Sequence, residues 1–167
     1  MNPQHLLEQA ERLAKTGKGR PRQTDLRRAV SSAYYAIFHL LTQECSRRLA
    51  IQASIRPIIA RAFDHGQMKQ ACSVFANKQL PENLKSIVPS ILSSSDLQLV
   101  AKAFVKLQES RHRADYDTRS NRGFTRHDAD AEIRRARVAF ETWERIRNED
   151  AAGLFLLALL FHGRWGR

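Results

Sequence analysis

The chain has 167 residues, a length typical of one compact domain, and 43% of them are hydrophobic, which is too many for an intrinsically disordered protein. It carries 28 Lys and Arg against 17 Asp and Glu, so its formal net charge is +11. A surface this basic binds polyanions unless a partner covers it, which favours nucleic acid as the partner, with an acidic protein as the alternative. Two cysteines exclude a disulfide scaffold, and the sequence contains no Cys/His cluster typical of zinc sites. We therefore expect a cytoplasmic protein without a metal or another cofactor.

The hydrophobic periodicity predicts an all-α fold, an up-and-down helical bundle of five to six helices. The expected helices span about residues 3–15, 24–49, 54–78, 96–116, 125–148 and 151–161. The third is expected to break at Asp64-His65-Gly66, and 80–95 is expected to be a loop or a short helix because it contains two prolines. Residues 1–148 are expected to form the bundle, and 149–167 an apolar C-terminal helix or arm.

The apolar C-terminal segment has the sequence AAGLFLLALLF, eleven residues from Ala151 to Phe161. About 20 apolar residues are needed to span a bilayer, so the segment does not predict a membrane protein. It is expected to be either a buried helix or an arm used in self-association.

The second predicted helix carries a stripe of polar side chains beside its apolar face. Arg28, Ser32, Tyr35 and His39 follow one another at spacings of four, three and four, which places them in one narrow sector. A cation, a hydroxyl, a phenol and an imidazole in one line are typical of an anion or phosphate site. The alternative interpretation is an ordinary boundary stripe, with the two rings at its rim.

The helix predicted over 96–116 has an apolar face that continues into charged residues without changing side. Its last members are Arg111, Ala114 and Asp115. Arg four residues before Asp is the weaker order for a helical ion pair, so local pairing alone explains the two charges poorly. The pattern indicates either a cleft in which Arg111 binds phosphate or a buried ion pair.

Further basic residues surround Arg111 in the sequence RHRADYDTRSNRGFTRH. No P-loop, GxGxxG, GxSxG or HExxH motif occurs in the chain. His65, which precedes Gly66, is interpreted as a helix-boundary residue.

Three segments together resemble the HEPN-domain proteins of prokaryotes. They are DLRRAVSSAYYAIFHLL (25–41), AFDHG (62–66) and ESRHRADYD (109–117), and the resemblance covers roughly residues 1–148. It implies a helical bundle that forms a homodimer. It also implies one of three activities: a metal-independent endoribonuclease, the toxin partner of a minimal nucleotidyltransferase, or a non-catalytic module that binds RNA or a nucleotide.

The nuclease members carry an Arg-x4–6-His motif, and this chain departs from it. Arg111 matches the Arg, but the position five residues later is Tyr116, and no His falls within the window. Arg122 and His127 form a similar pair elsewhere, which is interpreted as chance. The absent His favours a binding subunit over a nuclease.

Three functions therefore stay open: an RNA-directed toxin, a non-catalytic binding subunit, or a helical protein-interaction module with a basic face. If the chain cleaves RNA, the expected catalytic residues are Arg111, Tyr116 and His39. The expected phosphate-binding residues are Arg28, Tyr35, Arg113, Arg119, Arg122 and Arg126.

Overall fold

The computed structural model describes residues 1–15, 21–50, 52–80, 82–87, 94–117 and 123–162, and these contain helices and no strand. The helices are α1 (Pro3–Lys15), α2 (Gln23–Leu49), α3 (Arg56–Arg61), α4 (His65–Ala76), α5 (Glu82–Ile87), α6 (Ser95–Tyr116), α7 (Arg126–Ile146) and α8 (Asp150–Phe161). The all-α prediction is confirmed. Within the described ranges, no helix has the length and apolar character that crossing a membrane requires.

The described ranges contain eight helices rather than the expected five to six, because two short ones are added. The third predicted region is divided into α3 and α4, and the chain restarts as a helix at His65. Asp64 causes the restart, since its side chain accepts a hydrogen bond of 2.9 Å from the backbone N–H of Gln67 and so caps α4. The six-residue helix α5 is the short helix expected within 80–95.

The long helices α2, α6 and α7 surround the core. Of these, α2 and α7 run in the same direction, and α6 runs in the opposite direction. Arg27 at the start of α2 contacts residues at the end of α6, so these two helices are antiparallel. Arg147 follows the end of α7 and contacts Glu44 near the end of α2, so α2 and α7 are parallel. Tyr34, Phe104 and Trp143 are the largest side chains of the three helices that are fully buried.

One end of the bundle is held together by hydrogen bonds between side chains and the backbone. Arg27 donates to the carbonyl oxygens of Ala114 at 2.8 Å and Asp117 at 3.0 Å, which the last turn of α6 leaves without helical partners. Gln23 donates to the carbonyl of Phe124 at 2.7 Å and accepts from its N–H at 2.8 Å. These contacts join the start of α2, the end of α6 and the start of α7, where the candidate site lies.

The apolar C-terminal segment is a packed helix. Phe155 of α8 lies against Phe75 with ring centroids 4.8 Å apart and against Trp143 at 6.2 Å. The buried thiol of Cys45 donates to the carbonyl of Leu156 at 3.6 Å. Of the two structures expected for this segment, the described residues therefore form the buried helix.

Candidate functional site

Polar side chains of α2, α4 and α6 meet at the surface near the end of α6. We call this group the Arg111 cluster. Its members are Ser31, Tyr34, Tyr35, His65, Arg111, Asp115 and Tyr116. The cluster brings together Arg111, Tyr35 and Tyr116 of the predicted site residues. It adds Ser31, Tyr34, His65 and Asp115, of which the sequence singled out only Asp115, as the ion-pair alternative for Arg111.

Arg111 is fixed from two helices. Its Nη2 donates a hydrogen bond of 2.9 Å to the hydroxyl of Tyr35 on α2, and its Nε lies 2.8 Å from Oδ2 of Asp115 on α6. The Nε–H does not point along a hydrogen-bonding direction, so the contact with Asp115 is an ion pair rather than a hydrogen bond. The guanidinium carbon lies 5.1 Å from the ring centre of Tyr116 and 5.6 Å from that of Tyr35. Only 18% of the Arg111 side chain is exposed.

Asp115 forms the ion pair that its order in the helix disfavours, because α2 holds its carboxylate. Oδ1 of Asp115 accepts a hydrogen bond of 2.5 Å from the hydroxyl of Ser31. The Asp115 side chain is 29% exposed, so water still reaches the carboxylate. The pair lies within α6 near the surface, and the hydrogen bonds with Tyr35 and Ser31 connect it to α2, so it is not a deeply buried charge pair.

His65 is one of the cluster members that sequence reasoning missed as site residues. It is the first residue of α4, as a helix-boundary interpretation requires, but its ring also packs into the cluster. Nδ1 lies 2.6 Å from the hydroxyl of Tyr34, and the ring stacks on Phe38 with centroids 4.1 Å apart. Gln108 of α6 donates to the carbonyl of His65 at 2.8 Å. The AFDHG segment was the signal in the sequence that could have found it.

The surroundings of His65 and Tyr34 keep both side chains neutral. Burial lowers the pKa of His65 below its ordinary value, and the positive charge of Arg111 lowers this pKa further, against the opposing effect of Asp64. Burial likewise raises the pKa of Tyr34 far above its ordinary value. At neutral pH the cluster therefore contains an uncharged imidazole beside a cationic guanidinium.

His39, a predicted catalytic residue, lies one turn beyond Tyr35 and does not contact Arg111. Its ring is stacked with that of Tyr35 at a centroid distance of 6.4 Å, and no hydrogen bond from the ring is present among the described residues. Burial lowers its pKa. The ring lines a separate cavity of about 460 Å³ between α2 and α3, beside Thr42 and Arg56.

The predicted phosphate-binding arginines that the structure describes are exposed at the same end of the bundle. Arg28 projects from the first turns of α2 and Arg126 begins α7, and neither forms an ion pair within the described ranges. Arg113 covers the ring of Phe124, with its guanidinium carbon 4.3 Å from the ring centre. Arg119 and Arg122 lie outside the described residues.

No three His, Cys, Asp or Glu side chains in the described part of the chain are grouped as metal ligands would be. Comparisons with protein-family models, with curated proteins and with solved structures give no match. The chain is therefore not placed in a family by similarity, and its function is inferred from the geometry of the Arg111 cluster.

Proposed function

We propose that this chain is a HEPN-type, RNA-directed protein whose Arg111 cluster binds a phosphodiester group of RNA. The observation that carries the proposal is the fixed guanidinium of Arg111. Tyr35 and Asp115 hold Nη2 and Nε, while Nη1 has no protein acceptor among the described residues. A guanidinium held in place loses little conformational freedom when its remaining N–H groups bind a phosphate oxygen.

The charge around the cluster supports an extended polyanion as the ligand. Arg113 covers Phe124 just before the start of α7, Arg126 begins α7, and Arg28 lies in the second turn of α2 at this end of the bundle. All three are exposed. Cations spread around a fixed arginine can contact successive phosphates of one strand, and the net charge of +11 attracts that strand over a longer range.

Aromatic rings in the cluster favour single-stranded RNA over an acidic protein. Tyr116 is 60% exposed, and the rings of Tyr116 and Tyr35 both lie near the guanidinium of Arg111. Exposed aromatic faces beside a basic groove bind unpaired bases by stacking, at about 1–3 kcal/mol per base. A carboxylate-rich peptide would use the arginines but would have no need of these rings.

The proposal includes a partner protein, because the resemblance to HEPN proteins extends to it. The chain would act in the cytoplasm as the toxin or the substrate-binding partner of a minimal nucleotidyltransferase, in a toxin–antitoxin or defence system. Two of the quoted segments support this extension, since Tyr35 of the first segment and Arg111, Asp115 and Tyr116 of ESRHRADYD all lie in one cluster.

A second candidate function is a helical interaction module, and one groove favours it. The groove between α6 and α7 has a volume of about 730 Å³ and is lined by Leu99, Val138, Lys102 and Arg134 among others. Leu99 is 36% exposed and Val138 is 44% exposed. An acidic amphipathic helix would suit this lining, and the experiment that follows separates the two functions.

The test is a titration of the protein into a fluorescently labelled single-stranded RNA in EDTA at low salt, followed by fluorescence anisotropy. We expect saturable binding, because neither the cluster nor the exposed arginines use a metal ion. If the anisotropy does not change at protein concentrations up to the micromolar range, the RNA proposal is wrong and the interaction module becomes the better function.

We also propose that the chain forms a homodimer. The apolar arc of α2 is buried inside the bundle, but Leu49, Ile55 and Ile58 stay 42%, 42% and 67% exposed at its far end, and Phe161 of α8 is 44% exposed. Apolar side chains left at the surface are typical of sites of self-association. Light scattering should report about twice the chain mass of 19.1 kDa at micromolar concentration, and a monomer mass would contradict the dimer.

A further inference from the structure

The hydrogen bond between Tyr34 and His65 determines which nitrogen of the imidazole carries the proton. Tyr34 is fully buried, and the only partner of its hydroxyl among the described residues is Nδ1 of His65, at 2.6 Å. A buried O–H group without an acceptor costs about 1–3 kcal/mol. The hydroxyl of Tyr34 therefore donates to Nδ1, and the proton of the neutral ring is on Nε2.

The titratable and charged groups around His65 come from α2, from α6 and from its own neighbour in the chain. They are Tyr34, Tyr35 and His39 on α2, Arg111 on α6, and Asp64 next to His65 itself. Of these, Arg111 opposes a positive charge on His65 and Asp64 favours it. Protonation of Nδ1 would also take away the acceptor of the Tyr34 hydroxyl. The hydrogen bond and the burial therefore both favour the neutral form of His65.

The ring is held in one orientation with Nε2 accessible. Stacking on Phe38 at 28° and the hydrogen bond from Gln108 to the His65 carbonyl position it. Nε2 has no acceptor among the described residues and is not buried. The ring of His65 and the guanidinium of Arg111 both lie against Tyr35, at 6.0 and 5.6 Å from its ring centre. A phosphate bound by Arg111 would therefore lie next to a second N–H donor.

We propose that His65 is a second phosphate-binding residue, that its Nε2–H donates to a phosphodiester oxygen beside Arg111, and that the cluster holds RNA without cleaving it. This inference rests on the proposed function, since it concerns the same site: it adds His65 to the residues that bind RNA there, and it states that the bound RNA is not cleaved.

The absence of cleavage follows from what RNA transesterification requires. The 2′-oxygen attacks phosphorus while a base removes its proton, and the bond from phosphorus to the 5′-oxygen breaks as an acid protonates that oxygen. His65 with its proton on Nε2 has no accessible lone pair for the first task, and as a neutral ring it is a poor acid for the second. Both carboxylate oxygens of Asp115 already have partners in Arg111 and Ser31.

The first arm of the test is an NMR measurement on the isotope-labelled full chain. A long-range ¹H–¹⁵N spectrum should show His65 with an unprotonated Nδ1 and a protonated Nε2 at neutral pH. In Tyr34→Phe, which removes the donor and keeps the shape of the side chain, the pKa of His65 should rise. A protonated Nδ1 in the unsubstituted protein would overturn the proposal.

The second arm measures RNA affinity and RNA length together. His65→Phe should lower the affinity for single-stranded RNA about tenfold. The unsubstituted protein should leave the RNA intact after prolonged incubation in EDTA. His65→Phe leaves the buried hydroxyl of Tyr34 without an acceptor. The double variant Tyr34→Phe/His65→Phe also removes that hydroxyl, so it repeats the measurement without an unpaired polar group in the core.

The outcomes separate the inference from the proposed function. RNA binding that depends on Arg111 but is unchanged in both His65 variants overturns the inference and leaves the proposed function standing. RNA cleavage by the unsubstituted protein also overturns it, whether or not His65→Phe abolishes that cleavage. If the protein binds no RNA at low salt, both the inference and the proposed function are wrong.

Discussion

Replacing Arg111 by alanine is expected to lower the affinity for single-stranded RNA by about 10- to 100-fold while the bundle stays folded. The loss follows from the charge-assisted hydrogen bonds that the guanidinium would make to a phosphate, which contribute about 1.5–3 kcal/mol. Arg111→Lys keeps the charge, but an ammonium group cannot contact both Tyr35 and Asp115 as the planar guanidinium does. Its affinity for RNA should therefore lie between those of the unsubstituted protein and Arg111→Ala.

Arg145→Ala is the matched control. Arg145 on α7 also pairs with an aspartate, Asp96, at 3.2 Å, so the substitution changes the net charge equally and also breaks an Arg–Asp pair. Asp96 lies fifteen residues before Arg111 on α6, about 22 Å along the helix axis. Arg145→Ala should leave the RNA affinity within about twofold of the unsubstituted protein, because long-range attraction alone is a weak effect at moderate salt.

The same Arg111→Ala variant separates a binding site from a structural ion pair. The side chains of Arg111 and Asp115 are 18% and 29% exposed, so without Arg111 water can solvate the carboxylate, which also keeps its hydrogen bond from Ser31. We therefore expect the substitution to lower the free energy of unfolding by about 1–2 kcal/mol. For a domain of this size the melting temperature should fall by only a few degrees. A fully buried pair would cost about 3–5 kcal/mol, and a drop of more than ten degrees would show that the role of Arg111 is structural.

A fourfold rise in salt, from 50 to 200 mM, is expected to weaken RNA binding by about 50-fold. The estimate takes four phosphate contacts, from Arg28, Arg111, Arg113 and Arg126, and a slope of about −0.7 per contact for a single strand. The measurement is a set of anisotropy titrations at several salt concentrations. Affinity that does not change with salt would mean that phosphate contacts do not drive binding.

The long helices could be predicted because each buries a full apolar stripe. The apolar periodicity of α2, α6 and α7 extends over 21 or more residues, and the observed bounds follow the expected ones closely. The short helices α3 and α5 have six residues each, too few to display a repeating apolar face. Their separation from neighbouring segments depends on caps and contacts that periodicity does not report.

The candidate site could be predicted only where one helix contains the signal. Arg111 was identified because charge continues an apolar stripe on α6. The polar stripe of α2 extends over more than one site, since Arg28 and His39 are eleven residues apart, about 16 Å along a helix. Tyr35 of this stripe joins Arg111, whereas Ser32 is buried and His39 lines another cavity.

His65 shows why the rest of the site needed the structure. Its partner Tyr34 is 31 residues away in the sequence, and apart from the AFDHG resemblance the sequence around His65 carries only the signals of a helix start. The ion pair of Arg111 and Asp115 is a similar case. Local order disfavours it, and the hydroxyl of Ser31 on another helix orients the carboxylate.

The central claim is that Arg111 contacts a phosphate of RNA, and the salt slope of binding tests it most directly. Log affinity against log salt should be measured for the unsubstituted protein, Arg111→Ala and Arg145→Ala with the same single-stranded RNA. We predict that the slope becomes shallower by about 0.7 in Arg111→Ala, the value for one lost phosphate contact, and does not change in Arg145→Ala. Equal slopes for all three proteins would contradict the claim, whatever the change in affinity.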